Sequence, residues 1–226
     1  MGRASSTARR LSEPGPAVAP AAPVSEPLEV PRPSDAELVG RACQGAPGAE
    51  AQLFSRLAPL VNRLVFSTLG PDAEHDDVVH DVFIRIFRSI AGLRDPDRLE
   101  AWAARVTLNT VRNEIRRRTL RRWVFWNAFE DPGPLKYVPD LEGRELLTHT
   151  HRVLAMLPPD ERIVLSLRLF ETETIEEIAA LTACSHSTAK RRLRRAHLRF
   201  VRLAQRDPLL AAWVGGSQAQ GENTDG

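Results

Sequence analysis

The sequence predicts an all-α protein in which a flexible linker joins two small helical domains, flanked by disordered tails. Apolar residues recur at three- and four-residue steps through most of the chain, and no convincing alternation with a period of two indicates a strand. Proline-rich segments interrupt this pattern near the start of the chain and again past its middle. The predicted boundaries are 1–33 for the first tail, 34–124 for the first domain, 125–143 for the linker, 144–206 for the second domain and 207–226 for the last tail.

The first tail is rich in Pro, Ala and Ser, so it cannot bury enough apolar surface to offset the entropy of ordering. Arg3, Arg9 and Arg10 could mimic the start of a secretion signal, but several prolines break the apolar segment that should follow. No run approaches the ~20 apolar residues that a membrane span needs. Cys43 and Cys184 form no metal or disulfide pattern, and we therefore expect a reducing, cytoplasmic setting.

The first domain is predicted to contain three helices. Pro71 and Asp72 separate the first two, and the third runs from about Asp97 to Thr119, with Trp102 on its core side. The apolar positions are Leu53, Phe54, Leu57, Leu60, Val61, Leu64 and Val65 on the first helix, and Val78, Val79, Val82, Phe83, Ile86, Phe87 and Ile90 on the second. These sets give each helix one apolar face.

The second domain carries the clearest local signal, a helix-turn-helix pattern. Thr174 and Glu177 have the spacing of a capping box at the start of a short helix. Small and polar residues over 182–185 suit a tight turn, after which Ser185 or Ser187 can cap a second helix. On that helix one narrow apolar stripe is predicted, formed by Ala189, Leu193, Ala196 and Phe200.

The second helix of this motif is basic, with eight Lys or Arg and no acid between Lys190 and Arg206. A basic helix after a short capped helix is typical of docking in the DNA major groove. Ser187, Thr188 and Lys190 lie near its start, where side chains reach base edges. Residues suited to phosphates follow, namely Arg191, Arg192, Arg194 and Arg195. The alternative is a solvated basic helix in an ordinary bundle.

The third helix of the first domain ends in a second basic stretch, with seven Arg and one acid between Arg105 and Arg122. Trp123, Phe125 and Trp126 follow at once, and arginines beside aromatic rings suit single-stranded nucleic acid. The Arg cluster could also reflect the preference of a helix C-terminus for cations. For the two tryptophans, stacking on bases and packing on a helix remain open alternatives.

Acidic residues open the second helix of the first domain, namely Glu74, Asp76, Asp77 and Asp81. One interpretation is the favourable placement of acids at a helix N-terminus. The other is a docking surface for a basic partner helix.

Taken in order, these motifs resemble the sigma-70 family of RNA polymerase sigma factors, of the extracytoplasmic-function (ECF) type. The segment 76–83 resembles region 2.2, and 102–118 resembles regions 2.3 and 2.4. The segment 157–165 resembles the start of region 4, and 175–196 its helix-turn-helix. His80 and Asn113 depart from the usual Gln and Asp of the family.

The resemblance implies a transcription initiation factor that needs no cofactor and is not an enzyme. Its implied partners are core RNA polymerase and promoter DNA, and family members are often held inactive by an anti-sigma protein. Binding of the polymerase core is implied for Asp77, His80, Asp81 and Phe83. Contact with the minus-10 element is implied for Asn109, Arg112, Asn113, Arg116 and Arg117. Contact with the minus-35 element is implied for His186, Ser187, Thr188, Lys190, Arg191, Arg194 and Arg195.

Three other functions remain as alternatives. A helix-turn-helix regulator that acts without polymerase would explain the second domain but not the acidic helix of the first. A metal enzyme could be imagined around His149 and His151, although residues two apart do not share a helix face. A pure interaction scaffold would show no salt-dependent binding to promoter DNA.

Overall fold

The computed structural model describes the backbone of residues 33–125 and 141–212, and the side chains of 33–121 and 143–212. The predicted first tail, residues 213–226, most of the predicted linker and the side chains of Trp123 and Trp126 lie outside these ranges. Within them every regular element is helical, which confirms the predicted all-α class.

Eight α-helices in the described ranges form two blocks. The first block contains α1 (Asp35–Cys43), α2 (Ala49–Leu69), α3 (His75–Ser89) and α4 (Leu99–Phe125), with short 3-10 turns at Ile90–Gly92 and Pro96–Arg98. The second block contains α5 (Leu141–Leu154), α6 (Pro159–Phe170), α7 (Ile175–Leu181) and α8 (His186–Ala204). The long helix α4 continues past its predicted end near Thr119.

The short helix α1 was not predicted from apolar spacing. It begins with a capping box, in which Ser34 Oγ accepts a hydrogen bond from the Glu37 amide at 3.2 Å and Glu37 Oε2 accepts one from the Ser34 amide at 2.9 Å. Its Leu38 and Val39 are buried. Nine residues are too few for a clear apolar period, but the Ser-x-x-Glu spacing marks where this helix starts.

The predicted apolar faces of α2, α3 and α4 meet in the core of the first block. Leu53 and Leu57 of α2 are fully buried, as is Ile86 of α3. Trp102 is partly buried against this core, in agreement with its predicted side of α4.

The N-terminus of α3 is fixed to α4 by a buried carboxylate and a bridging arginine. Glu114 Oε1 accepts a hydrogen bond from Arg118 Nε at 2.7 Å, and Glu114 Oε2 accepts one from Arg117 Nε at 2.8 Å. Burial raises the pKa of Glu114, but these hydrogen bonds lower it more, so the pKa lies below its usual value. Arg118 also forms ion pairs with Asp72 and Glu74 ahead of α3.

In the second block, α6 is buried on all sides. Seven consecutive residues, 161–167, are buried, which is the pattern of a helix between two layers. On one side α6 packs against α8, and on the other it packs against α2 and α4 of the first block. The apolar cores of the two blocks are therefore continuous.

The second block extends past residue 206, where the predicted domain ends. Residues 208–212 form a further helical turn, and Leu210 is buried with Val153 and Ala204. The Asp207 carboxylate accepts hydrogen bonds from the amides of Leu209 and Leu210 at 3.0 and 3.2 Å, so it caps this turn. At least these residues of the predicted last tail belong to the packed structure.

His151 of α5 packs where the second block meets the end of α2. Its ring stacks on Phe170 at 4.8 Å and meets the edge of Phe66 at 5.8 Å. Gly70 lies against it with a φ of +77°, and a Cβ there would come within 2.5 Å of the imidazole. Burial, and secondarily the charge of Arg162, lowers the pKa of His151 to about 3.

The neutral state of His151 should make stability depend on pH. Unfolding restores the ordinary pKa of about 6.5, so below that pH the unfolded chain binds a proton that the folded chain does not. We expect the free energy of unfolding to fall by up to ~1.4 kcal/mol per pH unit between pH 6.5 and 4.5. Urea unfolding of His151→Phe should show a shallower slope than the wild type. His197→Phe, on the exposed side of α8, controls for the loss of a histidine, and equal slopes in all three proteins would contradict the assignment.

The carboxylate of Glu114 should stabilise the first block. Glu114→Gln removes the negative charge and replaces one of the two acceptor oxygens by a donor NH2, and we expect a loss of about 2 kcal/mol in the free energy of unfolding. Glu100→Gln is the matched control, because Glu100 is exposed and its ion pair with Arg56 spans 3.4 Å. That change should cost less than ~1 kcal/mol. If urea unfolding gave equal losses of unfolding free energy for the two variants, the buried network around Glu114 would add nothing to stability beyond an exposed ion pair.

Candidate nucleic-acid interface

The helix-turn-helix of the second block has the predicted local geometry. Thr174 Oγ1 accepts a hydrogen bond from the Glu177 amide at 3.2 Å, and the Thr174 amide donates to Glu177 Oε2 at 2.8 Å, which confirms the capping box. In the turn, Ala183 adopts a left-handed φ of +51° and Thr182 Oγ1 donates back to the Ile178 carbonyl at 2.6 Å. These contacts set the direction in which α8 leaves the turn.

Ser185, not Ser187, is the N-cap of α8. Its Oγ accepts a hydrogen bond from the Thr188 amide at 3.3 Å. Ala189 and Ala196 are fully buried, while Leu193 and Phe200 pack partly buried against the same core, so the predicted apolar stripe is confirmed. The small alanine side chains bring α8 close to its neighbours.

Most residues predicted to contact the minus-35 element lie on the exposed side of α8. Six of the seven are exposed, namely His186, Ser187, Lys190, Arg191, Arg194 and Arg195, and Thr188 is partly buried. His186 Nε2 lies 3.0 Å from Glu176 Oε1 of α7. Arg192, which the sequence grouped with the phosphate-binding arginines, turns inward instead, with its Nη2 3.4 Å from Asp160 Oδ2.

A second set of predicted nucleic-acid contacts lies on α4. Arg112, Asn113 and Arg116 stand three, four and seven residues after Asn109, so the four residues share one face of the helix. We call this face, with Arg105 added one turn earlier, the α4 stripe. Its Asn and Arg116 side chains are exposed, whereas the Arg112 side chain is only 15% exposed.

The arginine cluster at the end of α4 divides into two groups. Arg116 is exposed on the α4 stripe, while Arg117 lies on a neighbouring face and binds Glu114. Arg118 is largely buried and ties α4 to Asp72. Arg118 therefore stabilises the first block. Arg116 instead lies on the exposed face of α4.

On α3, three of the four predicted polymerase contacts are exposed. Asp77, His80 and Asp81 form an acidic face. Phe83 is only 3% exposed, and its ring lies 4.4 Å from that of Phe54 and 5.9 Å from that of Phe87. Phe83 thus belongs to the core that supports the acidic face and is not itself part of that surface.

The histidines considered for a metal site have other neighbours. His149 Nδ1 lies 2.7 Å from Asp207 Oδ2, and His151 is buried between aromatic rings. In the part of the chain that the structure describes, no three His, Cys, Asp or Glu side chains group as metal ligands. No described helix is both long and apolar enough to cross a membrane.

Two family models match the chain, one in each block. Residues 53–121 match Sigma-70 region 2, and residues 150–199 match Sigma-70, region 4. Together the two matches cover just over half of the chain. The first contains α3 and most of α4, and the second contains α6, α7 and most of α8.

Curated relatives agree with these matches. The ECF RNA polymerase sigma-E factor of Escherichia coli is 29% identical over 151 residues, which make up 62% of this chain and 76% of that protein. The RNA polymerase sigma-H factor of Pseudomonas aeruginosa is 27% identical over 172 residues, or 72% of this chain and 89% of that protein.

Two solved structures have a similar fold. CnrH in complex with the cytosolic domain of CnrY aligns with a TM-score of 0.52 and 25% identity, over 76% of this chain and 98% of that chain. The sigma factor RpoE of Bartonella quintana, in complex with the anti-sigma factor NepR, aligns with a TM-score of 0.52 and 22% identity, over 71% and 99%. With both family models matched in order, the chain belongs to the sigma-70 family and is an ECF-type sigma factor, a transcription initiation factor that works with core RNA polymerase.

Proposed function

We propose that this sigma factor reads the minus-35 element with α8 and the minus-10 element with the α4 stripe, while the acidic face of α3 docks on the polymerase core. The observation that carries the proposal is the placement of three different polar surfaces on three rigid helices. We propose 34–124 and 144–206 as the limits of the two functional domains, and each contains one family match.

The arrangement of α8 supports major-groove reading. A capped turn delivers the start of α8 to the surface, where Ser187, Thr188 and Lys190 stand nearest its N-terminus. Side chains at this end of a recognition helix reach base edges. Arg191, Arg194 and Arg195 stand further along the exposed side, where they suit phosphates on either side of the groove.

The α4 stripe supports capture of unpaired bases. Asn109 and Asn113 offer amide donors and acceptors, and Arg112 and Arg116 offer guanidinium groups for the backbone. Extrusion of a base costs a few kcal/mol of stacking. The contacts along the stripe would offset that cost on the separated non-template strand.

The remaining parts of the proposal concern partners and setting. The protein acts in the cytoplasm, where polymerase and promoters are found, and it has no catalytic reaction or cofactor of its own. CnrH and RpoE were each solved with a partner, and we propose an anti-sigma protein as a partner of this chain as well. A regulator that acts without polymerase is the second candidate, because α8 alone would serve it equally well.

In vitro transcription separates these two candidates. Core polymerase from the source bacterium, mixed with this chain and genomic fragments, should initiate at defined sites that core alone does not use. A chain that binds DNA but confers no start-site selection would support the regulator and overturn the proposal.

Loss of basic residues at the start of α8 should weaken recognition of the minus-35 element. We expect Lys190→Ala with Arg191→Ala to reduce affinity for a minus-35 duplex about tenfold, and to lower the slope of log affinity against log salt by up to ~2. Arg202→Ala with Arg206→Ala removes the same charge from exposed positions at and just after the far end of α8, and it is the control. Equal affinity losses in the two double variants, measured by fluorescence anisotropy, would argue against a recognition surface at residues 186–195.

Reversal of the acidic face of α3 should separate polymerase binding from DNA binding. Asp77→Lys with Asp81→Lys should reduce capture of core polymerase at least tenfold, because like charge at a docked surface opposes association. Binding to the minus-35 duplex should stay within about twofold, since α8 is unchanged. Glu50→Lys with Glu100→Lys reverses two exposed acids elsewhere on the first block. If that control lost polymerase equally, net charge and not the α3 face would explain the result.

A further inference from the structure

The arginine cluster at the end of α4 lies beyond the apolar core of the first block. Ile115 is 2% exposed, whereas none of residues 116–121 is buried. Burial of apolar side chains therefore anchors α4 in the core only as far as Ile115. The turns that follow carry Arg116 of the α4 stripe, and charged side chains hold them in place.

Six charged side chains make these contacts, and we call them the Glu114 hub. The Glu114 carboxylate lies at the centre with its side chain 8% exposed, and it accepts hydrogen bonds from Arg118 Nε at 2.7 Å and from Arg117 Nε at 2.8 Å. Arg121 Nη2 lies 3.4 Å from Glu114 Oε1 and 3.5 Å from Glu74 Oε2. The members of the hub are Glu114, Arg117, Arg118, Arg121, Asp72 and Glu74.

The hub ends on the residues that lead into α3. Arg118 pairs with Asp72, and Arg118 Nη2 lies 3.1 Å from Glu74 Oε2. Asp72 Oδ1 also accepts a hydrogen bond from the Glu74 amide at 2.8 Å, so the carboxylate that holds Arg118 also shapes the turn before His75, where α3 begins. The acidic face lies on α3 itself. The hub therefore fixes the end of α4 relative to that face.

Helix geometry separates the hub from the α4 stripe. The three hub arginines stand three, four and seven residues after Glu114, so they lie on the same side of α4 as this carboxylate. Arg116 stands two residues after Glu114, which is about 200° around the helix, and its side chain is exposed. One run of arginines therefore supplies two different faces of α4.

The charges of the hub are balanced, with three carboxylates and three guanidinium groups. Arg118 is the most enclosed of the arginines, with its side chain 20% exposed. To bind a phosphate, Arg118 would have to leave its charge-assisted hydrogen bonds, and the buried Glu114 would lose part of its compensation. Arg118 is therefore poorly suited to contact nucleic acid, although it belongs to the same basic run as Arg116.

We propose that the Glu114 hub positions the end of α4 for reading of the minus-10 element, and that Arg118 acts through this contact without touching nucleic acid. Glu114 and Arg118 are then positioning residues, and Arg116 is the nucleic-acid ligand. The inference rests on the proposed function, which assigns the α4 stripe to the minus-10 element and the acidic face of α3 to polymerase. A side chain that is already in place binds with a smaller loss of entropy.

Glu114→Gln distinguishes the two roles of the cluster by the sign of the effect. The variant removes a negative charge and no cation, so attraction to phosphates alone predicts tighter binding. The hub predicts the opposite. We expect holoenzyme with Glu114→Gln to bind a single-stranded minus-10 oligonucleotide at least fivefold more weakly than wild-type holoenzyme in fluorescence anisotropy. An affinity within twofold of the wild type, or a higher one, would overturn the proposal.

Two further variants control for charge and for stability. Glu100→Gln removes the same charge from the exposed first turn of α4, and Val61→Ala shortens a fully buried side chain of α2. Both should keep the affinity for the oligonucleotide within twofold of the wild type. All three folded variants should capture core polymerase as the wild type does. A loss of oligonucleotide affinity in Val61→Ala equal to that in Glu114→Gln would reduce the hub to a contribution to stability and contradict its positioning role.

Salt dependence separates Arg118 from Arg116. Removal of one phosphate contact lowers the slope of log affinity against log salt by about 0.7 for a single strand, and we expect this change for Arg116→Met. Arg118→Met should bind the oligonucleotide at least fivefold more weakly at low salt, yet with the slope of the wild type. Equal slopes for the two variants would rule out the division into a ligand and a positioning residue.

Failure of the hub is distinguishable from failure of the proposed function. If the hub contributes nothing, wild-type holoenzyme still prefers the minus-10 oligonucleotide to a scrambled sequence, and Glu114→Gln matches it. If the α4 stripe does not read the minus-10 element, Asn113→Ala with Arg116→Ala leaves that preference unchanged.

Discussion

The buried guanidinium of Arg162 holds the two helical blocks of this protein in their relative position. It lies on α6, the helix that is enclosed on all sides, and it ends on carbonyls of Thr68 and Leu69 in the first block. A cation can be buried there only because the exposed end of the α2 helix dipole supplies acceptors. The continuous apolar core and the packing of His151 both depend on this placement of α6.

The electrostatics explain how a chain of net charge +2 can carry two basic surfaces. Several of its acids pair with arginines. Glu114 pairs with Arg118, Asp160 with Arg112 and Arg192, and the largely buried Glu171 with Arg63, whose side chain is 61% exposed. The exposed side of α8 presents Lys190, Arg191 and Arg194 within five residues, so the near-neutral total conceals a local concentration of positive charge.

Features encoded by short spacing were predictable from sequence, and features made by packing were not. The Thr174–Glu177 capping box and the alanine stripe of α8 follow from residues three and four apart, and both are observed. Apolar spacing placed Phe83 on the core face of its helix, where it is buried, whereas its contact with polymerase was implied only by the family resemblance. The bonds of Arg162 join residues more than ninety positions apart, for which a single sequence carries no local signal.

The enclosure of α6 has a consequence for the cell. Separation of the two blocks would expose apolar surface on both and would remove Arg162 from its carbonyl acceptors. Exposure of apolar surface to water is unfavourable, so the separated form needs a large binding partner that buries this surface again. Core RNA polymerase would then stabilise the separated form of the chain in addition to binding it.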